Sequence, residues 1–196
     1  MFSHLRGRTP GFLDSDRYRR YAVMVPYLPE RDALLFEVRA GSLHRQPGEI
    51  CFPGGRIERG ETPIEAGLRE TREELLVSRG QIEVIAPLDI LLSPYHQVIH
   101  PHLIVLRDYK GTFSAGEVEE TFSVPLTTLR EIQPICYENT VSVGPSDAHF
   151  PYHLIGREDY PWGTSRYPVY FYPVEGRVIW GITARFIHNF LTLCGN

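Results

Sequence analysis

Arg69-Glu70-Thr71-Arg72-Glu73-Glu74 places three carboxylates within five residues, and Glu61 stands eight residues before Arg69. Acid groups crowded this closely repel one another unless positive charge sits among them. Carboxylate oxygens in such number suit hard divalent cations, which take carboxylate, carbonyl and water ligands and share them with substrate phosphates. Just upstream, Gly54-Gly55 allows a backbone bend that turns a carbonyl inward. A bare Arg-Glu-x-x-Glu-Glu also suits a solvated helix face with Arg69 and Glu73 paired at i, i+4. The glycine pair and Glu61 favour a device that holds Mg²⁺ or Mn²⁺ against a diphosphate.

The element that must position these groups is a helix. Thr62 can cap it, Pro63 suits the first helical position, and Glu65 completes a capping box. At roughly 100° per residue, Ile64, Leu68, Thr71 and Leu75 share a face and are expected to be buried. Gly67 lies beside that stripe and permits close approach of a neighbour. Glu70, Glu73 and Glu74 fall on an adjoining arc, with Arg69 at its edge. Leu76 offers no helix stop, so the helix is expected to cap one turn later, at Gly80.

Gly55, five residues, Glu61, seven residues, then Arg69 to Glu74 resembles the Nudix box, GX5EX7REUXEEXGU with U aliphatic. All charged positions match in register. Thr71 replaces an aliphatic residue and Leu76 replaces a glycine, and neither change removes a ligand. The methyl of Thr71 can pack, although its hydroxyl then needs a partner. Residues 34–55 are similar to a motif of the coenzyme A diphosphatase subfamily, LLTXR(S/A)X3RX3GX3FPGG. Arg39, Ala40, Gly48 and Phe52 through Gly55 stand in register. His44 occupies the place of the second arginine, with Arg45 one residue late. Residues 116–126 and 177–185 add further likeness.

The resemblance implies an α/β (α+β) fold with a mixed β-sheet sandwiched between helices. It implies metal-dependent hydrolysis of coenzyme A or acyl-CoA to 3′,5′-ADP and (acyl-)4′-phosphopantetheine. The alternatives are a diphosphatase for NADH, ADP-ribose or another dinucleotide, and a ligand sensor without turnover. It also implies Mg²⁺ or Mn²⁺ held by Glu70, Glu74, Glu73 and the Gly55 carbonyl, neutralising charge and acidifying the attacking water. Arg69 orients carboxylates, and Glu61 supports the loop. The general base is a box glutamate such as Glu73 or a later one, Glu117 or Glu120. Arg39, His44, Arg45, Gly54, Gly55 and Glu61 are the candidate substrate-binding residues.

At 196 residues, with ordinary hydrophobic and charged content, the chain is expected to form a single domain. Its core is expected over about 20–195, after an irregular or short helical lead-in at 1–18. A net charge of −4 argues against non-specific nucleic-acid binding. Lys110 is the only lysine. Three scattered cysteines without a CxxC point to a reducing compartment. No apolar run is long enough for a membrane span, and neither a signal-peptide core nor a terminal SKL address is present. The expectation is a cytoplasmic enzyme with a small-molecule substrate, no nucleic-acid or membrane partner, and a homodimer left open.

Along the chain, 21–28 and 33–39 read as a strand pair, 49–52 as a short strand, and 81–90 and 98–106 as two more. Pro101 suggests a bulge or edge position for the last of these. Residues 108–116 read as a connector, 122–124 as extended, 126–131 as a short helix and 134–165 as irregular loops. A strand at 167–172 and a turn at Glu175-Gly176 precede a helix carrying Ile179, Ile182, Phe186, Phe190 and Leu193. His96, His100 and His102 lack the helical spacing and cysteine partners of a zinc site.

Overall fold

Backbone pairing in the computed structural model, which describes residues 2–157 and 159–195, yields two compact units that meet between Ser123 and Val124. In the first unit, two 3-10 turns, Ser3–Leu5 and Ser15–Arg17, precede β1 (Arg19–Leu28) and β2 (Ala33–Arg39). There follow β3 (Ile50–Cys51), β4 (Gly54–Arg56), α1 (Pro63–Leu75), β5 (Ile82–Pro87), β6 (Leu91–Ser93), β7 (Gln97–Leu106) and β8 (Val118–Pro125), the last two residues of which fall in the second unit. They form one sheet with the order β3-β2-β1-β7-β5, in which β4 joins β1, β6 joins β7 and β8 joins β2. β1 and β2 are an antiparallel pair with Tyr27 opposite Leu34. β1 and β7 run parallel from Arg19↔Gln97 to Tyr27↔Val105, so the sheet is mixed. α1 lies against β1 and β4. Met24, Leu28, Leu35, Leu75, Ile82, Ile104 and Leu106 form the core beneath it.

The second unit begins with α2 (Leu126–Glu131), β9 (Ile135–Ser142) and α3 (Tyr152–Ile155). It continues with β10 (Thr164–Val174), β11 (Arg177–Trp180) and α4 (Gly181–Leu193). β9, β10 and β11 make an antiparallel sheet, and α4 packs on β10 and β11. Tyr170 stacks on His188 with ring centroids 4.3 Å apart. Tyr172, Ile179, Phe186, Ile187 and Phe190 are buried. The fold is α+β, with one large mixed sheet and four α-helices among the described residues.

Four expectations change. β7 is an interior strand, not an edge, because Pro101 falls where its missing N–H is harmless. β5 ends opposite His102 and β6 begins opposite Ile99, so no ladder donor is required between them. Part of 134–165 is ordered as β9, whose exposed residues pair with β10 from Ile135↔Phe171 to Ser142↔Thr164. Ile179 belongs to β11 rather than to the last helix, and Leu193 faces solvent. The buried side of α1 is Ala66, Gly67, Thr71, Glu74 and Leu75, while Ile64 is exposed and Leu68 half-buried. Gly67 lies close against β1, where a Cβ would meet the Met24 side chain.

Candidate active site

The site begins with the entry to α1. The Thr62 hydroxyl accepts from the Glu65 N–H at 3.3 Å and the Glu65 carboxylate accepts from the Thr62 N–H at 2.8 Å. With Pro63 at the first turn, the helix start is as the sequence predicts. Its end differs. α1 stops at Leu75 and Leu76 itself adopts the left-handed conformation, with φ 53° and ψ 44°, while Gly80 lies in a 3-10 turn. The Thr112 hydroxyl donates to the Leu75 carbonyl at 2.7 Å and the Ser114 N–H to the Glu74 carbonyl at 2.8 Å. The connector thus satisfies carbonyls that a glycine cap would otherwise close. The Thr71 hydroxyl finds its partner in the Gly67 carbonyl at 2.7 Å.

The glycine pair lies close against its neighbours, and at Gly54 only glycine fits. β4 pairs with β1 through Gly54↔Val23 and Gly55↔Ala22. A Cβ on Gly54, whose φ is 156°, would run into the Ala22 carbonyl and the Val23 backbone. A Cβ on Gly55 would fall on the Glu70 carboxylate. The Gly54 N–H donates to Glu74 Oε2 at 2.9 Å. Two carboxylates of α1 therefore lie directly against the bare backbone of the loop.

Arg69 gathers the others. Its Nε and Nη2 donate to the two oxygens of Glu61 at 2.9 and 3.1 Å. Its Nη1 donates to Glu70 at 2.8 Å and to Glu73 at 3.3 Å, and Nη2 also reaches the Arg56 carbonyl at 3.2 Å. Arg69, aided by the Glu58 N–H, holds Glu61 down at about 2. Glu70 is raised, chiefly by burial, against the pull of Arg69. Glu74 is buried and raised further, by burial first and then by the charge of Glu37. Glu73 is exposed.

Glu37 was not foreseen as part of this group. It lies on β2 with 1% of its surface exposed, and burial raises it above the carboxylate range. The Cys51 thiol donates to its Oε1 at 3.2 Å across the β2–β3 pair, while Oε2 has no hydrogen-bond partner. The only hint in the sequence is one acid inside the apolar run Leu34-Leu35-Phe36-Glu37-Val38.

Three of the substrate candidates, Arg39, His44 and Arg45, lie at the end of β2 and on the segment that follows it. Arg39 is half-buried at the end of β2 and its Nε donates to the Arg45 carbonyl at 3.4 Å. His44 and the Arg45 side chain are exposed on the following loop. Glu117 approaches from the connector, where its carbonyl accepts from the Ala40 N–H at 2.9 Å. Its charge acts on Glu37, Glu70 and Glu74. Glu120 is half-buried farther along β8. Burial holds His100 and His102 below the ordinary histidine value. Among the described residues, no group of three or more His, Cys, Asp or Glu side chains is already gathered closely enough to hold a metal ion.

The donor set nevertheless fits a hard divalent ion. It is all oxygen, it rests on a glycine cradle, and it includes the buried carboxylate of Glu74. Fold and site together define an α+β protein with a loop–helix carboxylate centre suited to cations and phosphate oxygens. Residues 17–141 match the family model described as the NUDIX domain, and the chain belongs to the Nudix family. It is 35% identical over 111 residues to the mouse (Mus musculus) protein named peroxisomal coenzyme A diphosphatase NUDT7, covering 55% of this chain and 47% of that one. It is 32% identical over 137 residues to the Caenorhabditis elegans protein named peroxisomal coenzyme A diphosphatase ndx-8, covering 67% and 56%. The chain thus spans about half the length of these two curated relatives. Nudix hydrolase 3 of C. elegans is 27% identical over 193 residues, covering 92% of this chain and 75% of that protein. No described helix is long and apolar enough to cross a membrane.

Proposed function

We propose that this protein hydrolyses the diphosphate bond of coenzyme A or an acyl-CoA, giving 3′,5′-ADP and (acyl-)4′-phosphopantetheine. The observation that carries the chemistry is the seating of Glu70 and Glu74 against the Gly54-Gly55 backbone. The substrate assignment draws on two relatives named coenzyme A diphosphatases and on the segment from Arg39 to Gly55.

Glu70 and Glu74, with Glu73 and the Gly55 carbonyl, would hold Mg²⁺ or Mn²⁺. When bound, such an ion neutralises diphosphate charge and lowers the pKa of the attacking water. Arg69 is a positioning residue: its guanidinium fixes Glu61, Glu70 and Glu73 at once, so their oxygens are set before substrate arrives. Glu61 anchors the loop through the Glu58 N–H at 2.9 Å. Glu117 is the proposed general base, because it is exposed, its backbone is bonded to Ala40 just beyond β2, and its charge acts on Glu37, Glu70 and Glu74. Its carboxylate would take the proton of the attacking water as the P–O bond to the leaving phosphate breaks. Arg39 supplies positive charge at the rim for the substrate phosphates. The free Cys51, Cys136 and Cys194 accord with the proposed cytoplasmic setting.

Incubation with coenzyme A, NADH, ADP-ribose and diadenosine polyphosphates, with Mg²⁺ or Mn²⁺, tests this reading. Release of 3′,5′-ADP from coenzyme A is the expected result. Efficient cleavage of NADH but not coenzyme A would overturn the substrate, and no product from any compound would favour a sensor.

A further inference from the structure

Glu37 is more deeply buried than any carboxylate of the helix, yet it is only half satisfied. A buried carboxylate is costly to keep unless its oxygens are paired. Cys51 serves Oε1, while Oε2 has no partner. Arg39, two residues along β2, turns its Nε to the Arg45 carbonyl instead. The backbone carries Glu37 towards the acid cluster. β3 pairs Cys51 with Glu37, and three residues later the Gly54 N–H holds Glu74. The charge of Arg39 favours an ionised Glu37, those of Glu117 and Glu70 oppose it, and the charge of Glu37 acts in turn on Glu74. A second hydrogen bond would be expected if Glu37 merely braced β3. A cation would satisfy Oε2 and offset the repulsion with Glu74 together.

We propose that Glu37 is a further ligand of the divalent-cation site, presenting Oε2 from the sheet to an ion that Glu70 and Glu74 hold from the helix. Cys51 then acts as a positioning residue, holding Oε1 so that Oε2 points inward. The inference rests on the metal-dependent reading above and extends the ligand set beyond the helix and the glycine loop. It gives the site a wall from β2, the strand that also carries Arg39.

The test is a titration of metal-free, full-length protein with Mn²⁺, following free Mn²⁺ by electron paramagnetic resonance. Wild type, Glu37→Gln, Glu37→Asp and Glu74→Gln are compared, with circular dichroism to check folding. Glu37→Gln keeps the shape and can still accept from Cys51. A ligand role predicts that it weakens Mn²⁺ binding at least about tenfold, the lower end of losses seen even for outer-shell partners. A merely charged neighbour also loses its attraction for the ion in Glu37→Gln, but Glu37→Asp, which keeps the charge and withdraws the oxygen, would then bind Mn²⁺ as wild type does. Unchanged or tighter binding by Glu37→Gln, with loss in Glu74→Gln, overturns the role of Glu37 and leaves the metal site standing. No Mn²⁺ binding by wild type overturns both. Glu37→Asp, which also serves if Glu37→Gln does not fold, draws the carboxylate back by one methylene. It is expected to weaken binding to a similar degree, and unchanged affinity would overturn the proposal.

Discussion

Residues differ sharply here in how their roles can be tested. Glu74 is buried, raised and bonded to Gly54, so Glu74→Gln preserves its shape and removes its charge. Turnover of coenzyme A should fall at least about 100-fold, the scale for one preorganised electrostatic contact, with an unchanged far-ultraviolet spectrum. Near-wild-type turnover would mean that the helix carboxylates do not form the metal site. Glu117 and Glu120 make a sharper pair. Glu117→Gln should cut kcat about 100-fold or more and abolish the acid limb of the pH–rate profile, whereas Glu120→Gln should leave that limb in place. The reverse pattern would move the base to β8. The box residues were legible because their spacing is local, and Arg69 and Glu73 meet as i, i+4 predicts. Glu37 was not legible: its partner Cys51 arrives fourteen positions later through strand pairing, and one acid in an apolar run has no period to betray it.

At the level of elements, the start of α1 could be read directly and its end could not. Capping box and proline act within a few residues, so sequence suffices for them. The C-terminus depends on Thr112 and Ser114, contributed from more than thirty-five positions away, which close the last carbonyls whatever residue follows. Leu76 is thereby held left-handed at φ 53°, a conformation that costs a non-glycine residue about 1–2 kcal/mol. It is 58% exposed and loses little packing if truncated. Leu76→Gly should therefore stabilise the protein by about 0.5–1 kcal/mol after glycine's larger unfolded-state entropy is allowed for. Urea unfolding would check this through a higher midpoint at unchanged slope. Destabilisation would show that the Leu76 side chain contributes packing that its exposure conceals. On the predicted stripe of α1, Thr71 and Leu75 are buried and Leu68 packs against the core, and only Ile64 departs. A helical wheel weighs Ile64 as apolar, but in the first turn of the helix it stays exposed while Ala66 and Gly67 are buried.

For the whole molecule, the parallel pairing of β1 with β7 joins segments some eighty positions apart, and no local pattern announces it. The placement of Pro101 opposite the break between β5 and β6 follows from that topology, which is why β7 resembled an edge in sequence alone. The same topology forces β2 and α1 to share buried acids, and folding of the metal-free protein must carry that burden. Glu37 and Glu74 are both raised from the ordinary glutamate value of 4.5, mainly by burial. A carboxylate whose folded value exceeds its unfolded value binds protons more strongly in the native state. Its stabilising contribution is complete below about 4.5 and is lost as pH rises through the folded value. Without its acid, Glu74→Gln escapes part of this loss. In a chelator-containing buffer its Tm should match wild type near pH 4.5 and exceed it increasingly towards pH 8. Each kcal/mol relieved is worth about 2–4 °C in a chain of this size. Saturating Mn²⁺ should reverse the order, because only wild type gains the full binding energy of the ion. A Tm difference flat across this pH range would mean that Glu74 is ionised in the native metal-free protein at little cost, and that the fold carries no acid burden for a cation to relieve.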